Sequence, residues 1–307
     1  MQGDGLGRGT VTTRADRVAI VGGGPAGLSA AIELRKLGVR HVAVYEREQQ
    51  AGGIPRHTDH LGFGMRDLHR VMSGPRYARA LTRRAEIAGV ELRVGTAVYD
   101  LDDLDASAVI LATGVRERPR AARLVPGDRP AGVFTTGSLQ QLAMAGFGVG
   151  TNAVIVGAEH VSFSAIFTLG HVDCRTVAMV TPRARHQSYA ALKFAAATVR
   201  RVPVLTGVDI AEIVGRRRVE RVVLTDGRSI ECDTIMFTGD WIPDHELARR
   251  SGLAMDPTIK GPTVDSQFRT LRDNVFAIGN LVHTVAAADR CALDGKAVAT
   301  HVVRSIS

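Results

Sequence analysis

Gly22-Gly23-Gly24-Pro25-Ala26-Gly27 follows the apolar run Val18 to Val21 and precedes a helix-like stretch, Leu28 to Leu37. Glu46 closes the next apolar run, Val42 to Tyr45. Strand, G-x-G-x-x-G, helix, strand, acid is the complete pattern for holding a dinucleotide by its pyrophosphate. Gly22 permits the tight turn out of the strand. Gly24 lacks a Cβ, so backbone can approach the phosphates. Gly27 lets helix and strand pack closely. Pro25 and Ala26 open a helix whose N–H groups and positive dipole end face the anion. Glu46 can accept hydrogen bonds from a ribose, and Arg47 beside it joins the cofactor-binding set.

A second group of reactive side chains lies in the Gly- and His-rich stretch 51–64. His57 and His60 are three residues apart, with Arg56 and Asp59 adjacent. A neutral histidine can take a proton from an alcohol or amine. Arg56 or Arg66 can hold a carboxylate or phosphate. His283 and Asp289 flank the start of the last helical pattern and form a further candidate set. The competing role for all of these is hydrogen bonding to loop backbone or helix capping.

Thiol and metal chemistry are poorly provided for. Cys174, Cys232 and Cys291 are far apart and form no C-x-x-C pair, so each reads as an ordinary buried thiol. No histidine or acidic pair has ligand spacing supported by a third ligand, so no metal site is expected.

Several elements must position these residues. A helix is predicted over Pro75 to Ala88, begun by Ser73-Gly74-Pro75, and short strands over Val90 to Val94 and Ala97 to Leu101. Ala108 to Ala112 reads as a buried strand ending at Thr113-Gly114. A basic, proline-containing connector, Val115 to Pro130, then marks a domain boundary. A second βαβ unit opens at Ala153 to Gly157, with its helix over about 159–169 and its second strand over Thr176 to Val180. Another helix is predicted over Ala190 to Val199. Strands follow at Ile210 to Val214, Val219 to Leu224 and Thr234 to Phe237. Arg216-Arg217-Arg218 falls between two of them, as a hairpin turn would. Val275 to Ile278 runs into Gly279-Asn280, ahead of a terminal helix over about 286–303. Two similar openings about 135 residues apart indicate a duplicated nucleotide-binding architecture.

The composition agrees. A length of 307 residues with 45% hydrophobic content supports two domains with packed cores, and aromatics at 5% leave those cores to aliphatic residues. No apolar run approaches the roughly 18 residues of a membrane span. Met1 to Thr13 is Gly-rich and polar, without a signal-peptide core, so a flexible tail over 1–14 and a cytoplasmic location are expected. The net charge of +8 comes from arginines dispersed along the chain, without aromatic interleaving, so nucleic-acid binding is not expected.

At this level the chain resembles the two-domain flavoproteins of the pyridine nucleotide-disulfide oxidoreductase superfamily, over nearly all of residues 17–305. Four blocks carry the likeness: Gly22 to Gly27 with Glu46; Gly52-Gly53; Ala112-Thr113-Gly114; and Val275 to Asn280. The resemblance implies FAD in the first unit. It assigns Gly53, Ala112, Thr113, Gly114, Gly279 and Asn280 to its binding, with Asn280 where the superfamily usually has Asp. A closer likeness is to a subgroup linked to glycerol-3-phosphate metabolism and to the FAD subunits of cyanide synthase and opine oxidases. Gly52 to Gly64 is similar to its GGIL-x-QCIH-x-GFG segment, Ser73 to Ala78 to its T-G-P-E-Y-A, and Asn280 to His283 to its N-V-L-H.

Two departures bear on activity. Thr58 stands where the subgroup has a cysteine, so no dithiol relay is expected. At 157–162 the second fingerprint keeps Gly157 but has Glu159 and Ser162 for its other glycines. Like charges about 4 Å apart cost roughly 4 kcal/mol at an effective dielectric of 20, so Glu159 opposes a pyrophosphate. The second strand also lacks a ribose-binding acid, although Arg183 and Arg185 follow it and, with His160 and His186, offer an anion site. NAD(P) binding there is expected to be degenerate.

The expected fold is therefore α/β with two Rossmann-like three-layer domains, the second inserted in the first. The FAD domain takes 1–116 and 241–307, and the inserted domain 117–240. The expected function is FAD-dependent oxidation of a small polar amine or hydroxy compound by hydride transfer to flavin. His57 and His60 are the catalytic candidates, and Arg56, Arg66 and His283 the substrate candidates. Alternatives are an NAD(P)H-dependent flavin reductase or electron-transfer protein, and a non-catalytic FAD-binding subunit. A homodimer and a heteromeric oxidoreductase subunit are both compatible with the sequence.

Overall fold

The computed structural model describes residues 17–185, 202–283 and 285–307. The expected tail, the helix over 190–199 and His186 fall outside the described residues.

Near-continuous apolar runs become buried parallel strands. β1 (Arg17–Val21) leads through the glycine turn into α1 (Pro25–Lys36), then β2 (His41–Tyr45). A short hairpin, β3 (Leu61–Phe63) and β4 (Met72–Ser73), runs directly into α2 (Gly74–Ile87) and on to β5 (Glu91–Arg93) and β6 (Ala108–Leu111). Residues 97–101, expected as a strand, are irregular. Val98 and Leu101 pack beneath the sheet without pairing to it.

β7 (Val115–Glu117) and the short helix α3 (Arg120–Arg123) occupy the connector. β8 (Val133–Thr135), α4 (Thr136–Met144), β9 (Asn152–Val156), α5 (His160–His171) and β10 (Arg175–Thr181) form the second βαβ region. β11 (Val204–Thr206) follows, then an antiparallel trio, β12 (Ile210–Val214), β13 (Arg221–Leu224) and β14 (Ser229–Glu231). Arg216 to Arg218 lie in the β12–β13 hairpin, as expected. Arg218 is not simply solvated, however, because its guanidinium donates to the carbonyl of Val149 and to Thr234. The chain closes with β15 (Thr234–Phe237), β16 (Trp241–Pro243), α6 (Glu246–Arg250), β17 (Val275–Ala277) and the long helix α7 (Ala288–Ile306).

Two five-stranded parallel sheets result, in the orders β17-β6-β1-β2-β5 and β11-β10-β9-β15-β8. β7 and β16 pair antiparallel as the ribbon through which the chain leaves the first half and returns. α1 and α7 lie side by side on the first sheet, because Gly295 has no Cβ to strike the carbonyl of Ala26. Among the described residues no helix is long and apolar enough to cross a membrane.

Candidate functional site

The predicted cofactor residues converge at the carboxyl ends of β1, β2, β6 and β17. Gly22 has φ 111° and turns against β6: a Cβ there would land on the carbonyl of Ala112. The Gly52 N–H donates to Gly23 O at 2.7 Å, which brings the 52–53 turn over the first loop. Gly53, at φ 63°, then faces Gly24 so closely that a Cβ would sit 2.9 Å from the Gly24 Cα. Gly279 meets Ala26 from the other side, its notional Cβ 3.0 Å from that methyl. Gly22, Gly24, Ala26, Gly53, Ala112 and Gly279 are therefore gathered around the start of α1.

Helix α1 opens onto that surface with Pro25 in its first turn and no side-chain cap. Its first N–H groups are left for an external acceptor. Glu46 is fixed at the rim: Oε2 accepts the Gly23 N–H at 2.9 Å and Oε1 the Glu48 N–H at 2.9 Å. Arg47 reaches Asp244 at 2.9 Å. Thr113 Oγ1 donates to Asp244 O at 2.7 Å, and no atom lies within 4 Å of a notional Cβ on Gly114. A glycine-lined cradle, an uncapped helix start and a carboxylate at the ribose position fit FAD. Gly22 to Gly27 would hold the pyrophosphate and Glu46 the adenosine ribose.

Asn280 is engaged by the segment ahead of α7. Its side chain accepts the Ala286 N–H at 2.7 Å and donates to Ala286 O at 3.1 Å, so it braces the loop ahead of α7. Two substrate candidates have partners within the chain. Arg56 is engaged by Glu48 and by Gly53 O. His283 points Nε2 at the buried carboxylate of Asp294, 3.1 Å away. Arg66 remains largely exposed, its Nε 3.9 Å from Asp289.

His57 ends a short 3-10 turn, Ile54–His57, and its Nε2 is buried with no hydrogen-bond partner. Burial, and then the neighbouring Arg56 charge, hold this imidazole below its ordinary pKa, so it is neutral near pH 7. His60 Nδ1 lies 2.8 Å from Leu61 O, with its ring against Phe63. Thr58 sits between the halves: its hydroxyl meets Ile54 O at 3.2 Å and Gln140 Oε1, on α4, at 3.3 Å. Gly74 is required beside it, since a Cβ would strike the carbonyls of Thr58 and Pro55.

The second fingerprint is built differently. Glu159 lies at the start of α5, and its Oε2 accepts the Ala158 N–H at 2.9 Å. The Glu159 N–H donates to Ser162 Oγ at 3.2 Å, and Ser162 Oγ lies 2.6 Å from Thr238 Oγ1. Side chains therefore occupy the space that glycine leaves open in the first cradle. Arg123 supports this corner, donating to Thr238 O at 3.2 Å and Gly239 O at 2.7 Å with its guanidinium over the Phe237 ring. Glu117, on the connecting ribbon, accepts the Gly137 N–H at 2.7 Å at the start of α4, and burial raises its pKa. Neither Arg123 nor Glu117 carries a sequence signal, because each gains its role from tertiary placement.

All three cysteines are buried and free. Burial lifts the Cys174 thiol to about 11 and those of Cys232 and Cys291 to about 12. None is a thiolate near neutral pH. Among the described residues no cluster of His, Cys, Asp and Glu could hold a metal ion.

Two parallel-sheet units, one with a complete dinucleotide cradle, define a two-domain flavoprotein oxidoreductase. The chain belongs to the pyridine nucleotide-disulphide oxidoreductase family, whose sequence profile matches residues 16–295, and it is an FAD-binding member. It is 26% identical over 293 residues to the ferredoxin–NAD(+) reductase subunit of a benzene 1,2-dioxygenase system from Pseudomonas putida, covering 87% of this chain and 67% of that protein. A chlorobenzene dioxygenase ferredoxin reductase component from a Cupriavidus species is 27% identical over 289 residues, covering 87% and 67%. In fold, the chain matches T. acidophilum thioredoxin reductase with a TM-score of 0.81 at 23% identity, covering 94% of this chain and 98% of that one. These relatives lie outside the cyanide synthase and opine oxidase subgroup, so that closer likeness rests on the motif register alone.

Proposed function

We propose that the chain is an FAD-dependent electron-transfer reductase, which takes electrons from a reduced nicotinamide nucleotide and passes them to a separate acceptor. The observation that carries this reading is a complete FAD cradle in a fold whose thiols are all buried and protonated. Flavin is then the only redox group that the described residues provide for. The dioxygenase-system reductases support the direction of electron flow. We take residues 1–116 with 241–307 as the FAD unit and 117–240 as the inserted unit, divided at the β7–β16 ribbon.

Bound FAD supplies hydride and single-electron chemistry. Gly22, Gly24, Pro25, Ala26 and Gly27 would bind its phosphates through backbone, with Glu46 on the ribose and Gly53, Thr113, Gly114 and Gly279 closing the walls. His57, neutral and with a buried Nε2, is one candidate to accept a proton at this loop. The other expected base, His60, donates Nδ1–H to Leu61 O, which leaves its Nε2 as the proton acceptor.

A second reading, direct oxidation of a small polar amine or hydroxy compound, is favoured by one observation: Glu159 occupies the cradle where a nicotinamide nucleotide would place its pyrophosphate. Anaerobic titration of the FAD-loaded protein decides between them. Bleaching of the flavin by NADH or NADPH supports the reductase. Bleaching by amines or hydroxy acids alone overturns it.

A further inference from the structure

The β3–β4 hairpin and helix α2 carry a surface that neither FAD nor the second cradle uses. From Leu61 to Ile87, the end of α2, the chain has six arginines, 66, 70, 76, 79, 83 and 84, and two acids, Asp67 and, exposed in the last turn of α2, Glu86. Asp67 is buried and accepts the Tyr77 hydroxyl at 2.7 Å, so it contributes nothing to the surface charge outside. Arg76, Arg79 and Arg83 are exposed at helical spacing and span about 10 Å along one face of α2. Apart from the 3.9 Å approach of Arg66 to Asp289, none of the six has an ion pair among the described residues.

The same surface is apolar at its hairpin end. Leu61 is 70% exposed, Val71 64% and Met65 51%. The tilted rings of Phe63, on the hairpin, and Tyr77, on the helix, meet with centroids 5.9 Å apart and tie the two together. β4 runs without a break into α2, so apolar hairpin and basic helix face are continuous. This surface is tied to the cofactor loop as well: the Gly74 N–H, at the α2 start, donates to Thr58 O at 3.2 Å.

Unpaired like charges beside exposed apolar side chains are unfavourable for an isolated surface and suit a complementary one. A second copy of this chain would bring arginine to arginine, so self-association here is opposed by charge. We propose that the β3–β4 hairpin and the outer face of α2 form the docking surface for an acidic protein electron carrier. This rests on the electron-transfer reading given above. The arginines steer and orient the carrier's carboxylates, while Leu61, Met65 and Val71 supply the apolar centre. The surface adjoins the segment that bears His57 and Thr58, which brings the carrier to the cofactor side of the fold.

The test uses oxidised, FAD-loaded protein and an acidic [2Fe–2S] ferredoxin as probe, so it does not depend on the electron donor. At low salt the probe should bind. Binding should weaken about tenfold or more at 0.5 M salt and in the triple variant Arg76→Glu/Arg79→Glu/Arg83→Glu. The milder pair Arg76→Ala/Arg83→Ala should show a smaller loss in the same direction if the triple variant folds poorly. Leu61→Ser/Val71→Ser should weaken binding without changing its salt dependence. Absence of ferredoxin binding, binding unaffected by the arginine variants, or binding only to phosphatidylglycerol vesicles overturns the proposal. Bleaching by NADH, measured separately on the same protein, shows whether the underlying reductase reading stands.

Discussion

The Oε2 of Glu159 accepts the backbone N–H of Ala158 at 2.9 Å, at the start of helix α5. The carboxylate thus sits just ahead of α5, where it opposes an approaching pyrophosphate.

Replacing Glu159 and Ser162 together by glycine should therefore improve binding of NADH or NADPH about tenfold or more, equivalent to about 1.4 kcal/mol. Calorimetric titration of both forms checks it. A native protein that already binds tightly, with pyrophosphate at residues 157–162, would show that Glu159 is no obstacle.

Gly24→Glu should yield folded protein without FAD. A Cβ at position 24 meets only the Gly53 Cα, at 4.0 Å, so the fold has room for it, while the added carboxylate repels the phosphates. Gly27→Ala should instead lower stability, since its Cβ would strike the Gly22 carbonyl. Absorbance of the purified variants and their melting curves separate the two effects. Stoichiometric FAD in Gly24→Glu would refute the assigned cradle.

The thiols should be dispensable. Replacing Cys174, Cys232 and Cys291 together by Ala costs packing, about 1 kcal/mol at each buried site. Flavin reduction by its donor should nevertheless proceed at the native rate, since no thiolate forms near neutral pH. Rapid-mixing reduction of the FAD-loaded variant measures this. Loss of reduction with FAD still bound would reveal a redox thiol.

Glu117→Gln should stabilise the protein increasingly as pH rises. Burial raises the folded-state pKa of Glu117 above its unfolded value. The native carboxyl's favourable linkage is then fully present below the unfolded pKa and is lost as pH rises through the folded one. Glutamine does not titrate and can still accept the Gly137 N–H. The gain in melting temperature should be near zero at pH 4 and about 2 °C or more at pH 8. An equal gain at both pH values would place the cause elsewhere than ionisation.

The sheets could be read from sequence because buried parallel strands are apolar on both faces. Val18 to Val21, Ala108 to Leu111 and Val154 to Val156 needed no tertiary information. The first cradle was equally legible, since Gly22, Gly24 and Gly27 serve neighbours fixed by local geometry. Residues 97–101 misled because Val98 and Leu101 are apolar for a core position below the sheet, not for strand pairing. The β3–β4 hairpin was hidden by glycines at 62 and 64 and by its basic tip. Arg56 and His283 kept their residue types but turned to Glu48 and Asp294, partners 8 and 11 positions away that local spacing did not signal. Glu117 and Arg123 act on Gly137 and on residues 237–239, partners that only the folded chain brings near them.

The bond between Thr58 and Gln140 has a mechanical consequence. The polypeptide passes between the halves twice, at β7 and β16, and a short two-stranded ribbon resists twisting only weakly. Among the described residues, the hydroxyl of Thr58 on the Gln140 amide is a further fastening, set away from that pivot. Any swivel of one half about the ribbon must first part these two side chains. The loop that bears His57 is thereby latched to a helix of the opposite half, and its orientation reports the angle between them.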